Sequence, residues 1–299
     1  MHVVVAGGTG FIGRALVDAL LREGRRVTVL TRRSEEEARR VLPGGAAVVG
    51  WQGNEDTAPL PADADAVVNL AGAGIARRWT RAAKRLILDS RVRTTEAVVR
   101  ALQRAGGPRV LVNASAVGYY GPRGDERVTE REGPGDDFLA RVCRAWEAAA
   151  VEAERAGVRV VRLRTGFVVG RGGGLRLMAL PFRLFVGGPL GSGRQWMPWI
   201  HIEDVVGMIR FALDRDDVSG PLNVSAPEPV RNRDFARALG RVLGRPSVFP
   251  APALALRLVM GEAADMILTG QRAVPEAALA AGYRFRFTDP EAALRDVLG

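Results

Sequence analysis

With 299 residues and a hydrophobic fraction of 47%, the chain can bury a sizeable core as one large domain or two modest ones. No apolar run reaches the roughly 18–20 residues that span a bilayer, and MHVVVAGGTG has no charged n-region, so neither a spanning segment nor a signal peptide is expected, and no membrane partner. One cysteine, two histidines and a net charge of +10 carried almost wholly by scattered arginines argue against disulfides, metal and nucleic acid, and set the expectation of a cytoplasmic protein.

In chain order, HVVVA (2–6), RVTVL (26–30), AAVVG (46–50), DAVVNL (65–70), RVLVNA (109–114) and VRVVRL (158–163) read as strands. They are rich in Val and Leu with little alternation, as strands covered on both faces are. Amphipathic helices are predicted over 11–23, about 79–105 and 137–156, the last capped by Asp136 or Asp137. This alternation predicts an α/β fold, a Rossmann-type doubly wound parallel sheet. Beyond residue 165 come glycine-rich loops (168–174, 187–193), a helix over 199–213 and a strand over 221–227. A helical tail follows, with a short strand YRFRF (283–287) and a helix over 289–298. Residues 1–170, joined by 200–225, are therefore expected to form a nucleotide-binding domain, and 171–299 a smaller, mainly helical C-terminal substrate lobe.

Gly7, Gly10 and Gly13 lie between the first strand and the first helix. In that place they serve a tight turn, close approach of a pyrophosphate and close helix–strand packing. Thr9, Phe11 and Ile12 complete the loop, and the helix N-terminus offers free N–H groups to phosphates. The second strand ends in Thr31, Arg32 and Arg33, where an NAD site usually carries Asp or Glu. Guanidinium groups suit a 2′-phosphate, so NADP(H) is the expected cofactor and Arg32 its main contact. Asn69, Leu70, Ala71 and Gly72 follow the fourth strand, where small residues leave room for ribose and pyrophosphate.

GGTGFIG, NLAG, SAVGYYG (115–121) and RTGFVVG (164–170), with RRWT, SRVRTTEA, GGPLGSGRQWMPWIHIED and GQRAVPE, resemble an extended short-chain dehydrogenase/reductase. More narrowly the chain is similar to the atypical group called NAD-dependent epimerase family proteins, which end in a conserved domain of unknown function. The resemblance implies that Arg32, Leu70, Ala71, Arg91 and the backbone near Val168 touch NADP(H). Ala73 departs from it, since an acidic residue is expected there in much of that group. The resemblance also implies a Tyr-x-x-x-Lys pair, in which Lys activates Tyr and Tyr moves the proton. Counting back from Glu147 puts Leu139 and Cys143 at those positions. Elsewhere Tyr119, Tyr120 and Tyr283 are followed four places on by Arg123, Gly124 and Phe287, and Lys84 is preceded by Thr80, so the pair is absent.

Several residues are candidates to replace it. Ser115 lies near the expected substrate-orienting hydroxyl, although counting from YG selects Ala116. Tyr119 is the proton-donor candidate, or else a pocket wall. His201 with Glu203 and Asp204 forms either an acid–base group or a helix first turn. Cys143 reads as a buried thiol, and Lys84 as part of a solvated helix face. Phe185, Trp196 and Trp199 line a pocket or fill the lobe core. The favoured function is hydride transfer between NADP(H) and a small carbonyl or alcohol. The alternatives are a non-catalytic NADP(H)-binding sensor or partner-binding protein and, ranked lower, a nucleotide-sugar epimerase or dehydratase. Oligomeric state is open.

Overall fold

A computed structural model describes residues 1–105 and 109–299. Seven strands form one parallel sheet: β1 (His2–Ala6), β2 (Arg26–Thr31), β3 (Ala47–Gly50), β4 (Ala66–Asn69), β5 (Val110–Ala116), β6 (Arg159–Thr165) and β7 (Gly220–Val224). Their order is β7-β6-β5-β4-β1-β2-β3, with every pairing parallel. The order reverses between β1 and β4, and such a switch point opens a crevice at the carboxyl ends of the strands.

The pleat sends alternate residues of each strand into two cores. Val3 and Val5 pack with Leu16, Val17 and Leu20 of α1 (Phe11–Arg22). Val4 and Ala6 pack with Val98 and Leu102 of α2 (Arg81–Ala105) and Ala150 of α3 (Phe138–Val151). Both faces being covered explains why the strands carry no polar alternation. Asp137 caps α3 by accepting from the Ala140 N–H at 2.7 Å. The helix expected to reach residue 156 tightens into a 3₁₀ turn over Glu152–Ala156 and stops at left-handed Gly157.

Beyond β6 come α4 (Gly173–Arg183), α5 (Ile202–Asp214), α6 (Asn232–Leu243), α7 (Ala253–Met260) and α8 (Pro290–Leu298); α5 returns to the sheet core through Val205, Met208 and Ile209, and the others build the C-terminal part. Phe182, Trp199, Phe235, Leu239 and Leu294 form its core, so Trp199 is a core residue and lines no pocket. Two expectations are corrected here. Residues 199–201 are a short strand beside Phe167–Val169, so the helix begins at Ile202. Residues 283–287 are not a strand. None of the described strands pairs with them, and the buried Asp204 carboxylate instead accepts from the Arg286 and Phe287 N–H groups at 2.8 and 3.0 Å.

Candidate active site at the carboxyl edge of the sheet

The loop from β1 to α1 is held by its own glycines. Gly7 takes φ +79° and donates its N–H to the Leu30 carbonyl. A Cβ on Gly7 would stand 3.0 Å from the Ala71 nitrogen, and one on Gly13 only 2.4 Å from the Gly7 carbonyl oxygen. Gly10 precedes α1 without a capping side chain, so no side chain occupies the N–H groups at Phe11, Ile12 and Gly13. The Phe11 ring packs against Gly170, Gly172 and Gly173, which seats the second glycine loop on the first.

At the end of β2 the Thr31 and Thr9 hydroxyls share a hydrogen bond of 3.0 Å, and Thr31 also accepts from the Arg33 N–H. Arg32 and Arg33 are exposed, and neither makes an ion pair with a described residue. Across the crevice Asn69 is fully buried. Its amide donates to Asn113 and Thr95, and its oxygen accepts from the Ala71 N–H, fixing the turn over Leu70–Gly72. Arg91 reaches that turn from α2. It donates to the Ala73 and Ile87 carbonyls, lies against Gly72 and stacks over Trp146 at 5.1 Å. Burial pulls its pKa down, and no carboxylate pairs with it among the described residues. Val168 lies on the short strand that follows β6, opposite Ile200.

The β5–β6 half is built differently. Arg164 is 3% exposed and grips the Glu147 carboxylate with two bonds, 2.9 and 3.0 Å long. Ser115 donates its hydroxyl to the same carboxylate at 2.7 Å. Ser115 is thus buried and committed to Glu147, and in this arrangement it braces the pair rather than facing a substrate. Arg164 also donates to the Tyr120 hydroxyl, which donates to Asn223, and its guanidinium lies 3.5 Å from the Tyr119 ring centre. Burial raises the Tyr120 pKa well above its ordinary value. Tyr119 is half-buried on the turn Val117–Tyr120, with no hydrogen bond to its hydroxyl among the described residues.

The sequence marks Glu147 only as a counting landmark and does not single out Arg164, while Tyr120 stands beside the candidate Tyr119. The available signal is a charged side chain inside a strand of the sheet, which needs a buried partner.

Other candidates fall away from the crevice. His201 caps α5, its Nδ1 accepting from the Glu203 N–H, and Asp204 clamps the tail, so the helix-turn reading holds. Lys84 is not on a solvated face: it pairs with Glu262 and lies over the Phe138 ring. Trp196 stands between Arg231 and Arg272 and donates to Asp125, and Phe185 is exposed.

Residues 3–225 match the NAD dependent epimerase/dehydratase family, and residues 251–297 match a domain of unknown function, DUF1731. The chain belongs to the NAD dependent epimerase/dehydratase family. It is 39% identical to the epimerase family protein YfhF of Bacillus subtilis, covering 100% of this chain and 98% of that protein. It is 43% identical to the epimerase family protein SDR39U1 of Bos taurus, covering 100% of both. Among solved structures, human SDR39U1 crystallised with NADPH superposes with a TM-score of 0.89 at 38% identity, over 100% of this chain and 99% of that one. A nucleoside-diphosphate sugar epimerase from Corynebacterium glutamicum superposes at 0.79 with 34% identity, over 100% of this chain and 58% of that one.

The α3 positions at which the resemblance implies Tyr and Lys hold Leu139 and Cys143. Leu139 packs on Gly118 and belongs to an apolar cluster with Trp79 and Ile87. Cys143 is buried, and burial pushes its thiol up to about 12, with the Glu147 charge adding to the effect. Neither side chain can shuttle a proton at neutral pH.

Proposed function

We propose that this crevice binds NADP(H) and that the protein transfers hydride between it and a small carbonyl or alcohol. The observation that carries the cofactor reading is the end of β2, where two exposed guanidiniums make no ion pair with a described residue. The rest of the crevice fits the group. The uncapped N-terminus of α1 suits the diphosphate, and the glycine contacts leave backbone, not side chains, along its path. Arg91 adds a half-buried cation whose hydrogen bonds among the described residues go only to carbonyls. Human SDR39U1, crystallised with NADPH, supports the same reading.

When bound, the cofactor supplies the hydride. Asn69 fixes the Leu70–Gly72 turn that would line the cofactor. Tyr119 would give its hydroxyl proton to the substrate's carbonyl oxygen and regain one from solvent, and in the oxidising direction it would pass the alcohol's proton on to solvent. Arg164 holds the Tyr119 ring, and Ser115 and Glu147 hold Arg164.

The experiment is to incubate the protein with NADPH deuterated at nicotinamide C4, as each stereoisomer, and a metabolite extract, with mass spectrometry of the products. A labelled alcohol that is absent with Arg32→Asp establishes the reductase and its substrate class. Absence of label, with a protein shown to bind NADPH, favours the sensor reading that the missing Tyr–Lys pair motivates.

A further inference from the structure

Thirteen large hydrophobic side chains are exposed among the described residues, and ten of them fall within 177–186 and 248–259, so they are not the scattered singles of an ordinary surface. On α4 the buried side is Leu175, Ala179 and Phe182, while Leu177, Leu180 and Leu184 form a second apolar ridge on the opposite side. On α7 no residue is buried, and Leu254, Leu258 and Val259 stand 71%, 70% and 75% exposed. The loop that follows α4 and the one that precedes α7 meet at a shared corner. There Phe249 donates its N–H to the Gly187 carbonyl, and Gly191 donates to Ala251. Phe185 is the one non-glycine residue with positive φ (+64°) among those described. It occupies the position after a helix end where glycine is usual, and it turns its ring outward at that corner. Each of these ten side chains is more than half exposed, a density of large apolar groups that a solvated surface does not ordinarily carry.

A basic crevice of about 440 Å³ adjoins the corner, lined by Arg237, Arg241, Arg245, Ser247 and Val248. Arg237 and Arg241 are paired with Asp234 and Glu291. Arg245 has no acidic partner among the described residues, and its guanidinium lies 4.3 Å from the Phe185 ring centre. The Arg245 Nε and the Ser247 hydroxyl are both buried without a hydrogen-bond partner. Arg176 and Arg183, flanking the α4 ridge, also lack acidic partners among the described residues.

We propose that this edge docks on the surface of an anionic lipid bilayer, with the α4 and α7 ridges entering the acyl boundary and the Arg245–Ser247 crevice taking a lipid phosphate. The absence of a spanning helix bears on crossing a membrane, not on lying against one, so the earlier expectation of no membrane partner is set aside for this face. Charge selects this occupant. A two-fold contact with a second copy would bring Arg176, Arg183 and Arg245 of both chains together, like charge against like. A peptide helix would need a groove, whereas these side chains protrude.

The full-length protein is sedimented with vesicles of phosphatidylcholine alone or containing about 30% phosphatidylglycerol, at low and high salt. Binding is expected only with the anionic lipid. It should weaken with salt, and fall at least about tenfold in Leu254→Ser/Leu258→Ser and less in Arg245→Gln, while NADPH affinity stays unchanged as the check on folding. Failure to bind anionic vesicles overturns the proposal. So does a folded double variant that binds as well as the parent. A concentration-dependent dimer that the leucine changes break, without vesicle binding, assigns the face to a second copy instead.

Discussion

The two halves of the sheet edge recognise their contents by different means. Around β1, β2 and β4 the work falls to backbone: Gly7 and Gly13 are fixed by what a Cβ would strike, and the N–H groups of α1 face the crevice uncapped. Around β5 and β6 it falls to buried charge, with Arg164, Glu147, Ser115 and Tyr120 bonded to one another beneath Tyr119. Backbone recognition tolerates almost no substitution at these glycines. Side-chain chemistry can be replaced piecemeal, and here Leu139 and Cys143 stand on α3 beside a buried ion pair.

The sharpest break of this contrast is Arg164→Leu. Both partners are nearly without solvent, at 3% and 4% exposure, so removing the cation leaves Glu147 buried and uncompensated. A loss of about 3–5 kcal/mol in urea unfolding is expected. The double change Arg164→Leu/Glu147→Leu should recover much of that, because a well-packed apolar pair often replaces a buried ion pair without net cost. If the single change costs no more than a surface substitution, the pair does not organise this half.

In the other half, Gly13→Val places atoms where the Gly7 carbonyl already is. Forcing them in should cost roughly 1–3 kcal/mol and remove NADPH binding. Gly44→Ala, at a site with nothing within 4 Å, is the control and should stay within about 0.5 kcal/mol. Arg32→Asp separates recognition from stability. It should leave unfolding unchanged, weaken NADPH by roughly 10–100-fold and spare NADH, read by titration of each cofactor. Equal loss of both cofactors would remove the 2′-phosphate assignment.

Cys143 tests the vacated α3 position. Held at about 12 by burial, its thiol should resist a thiol reagent at pH 8 in the folded protein and react promptly once urea exposes it. Rapid labelling of the native protein would show instead that α3 opens at the place where a catalytic cation is missing.

The cofactor half was legible in the sequence because its constraints are local. A valine run, a glycine at residue 7 and an arginine pair at the end of β2 all stand within 35 residues of the start. The pairing of Glu147 with Arg164 was not legible, since it depends on α3 and β6 meeting across the sheet. YRFRF reads as a strand by alternation, yet its N–H groups are taken by Asp204 from a distant helix. The outward leucines of α4 and α7 carry no such local signal, since only the fold shows which side of each helix is covered.

The smallest effect concerns the joint between the halves and the tail. His201 is buried at the start of α5 and stacks on Phe287, with Asp296 3.4 Å from its Nε2. Burial lowers its pKa, against the pull of Asp296, Glu203 and Asp204 and with the push of Arg286. The folded state therefore holds the neutral ring, whose Nδ1 accepts from the Glu203 N–H. In the unfolded chain the group titrates near 6.5. Its contribution is complete above that pH and is lost as pH falls from about 6.5 toward the folded value, with a slope of at most one proton, about 1.4 kcal/mol per pH unit. Protonation would also remove the cap and set a cation at a helix N-terminus, where the dipole opposes it. His201→Asn keeps an acceptor for the cap but cannot titrate in this range. Unfolding measured between pH 5 and pH 8 should accordingly show a shallower acid-side decline for the variant than for the parent, and identical slopes would mean that His201 takes up its proton as readily folded as unfolded.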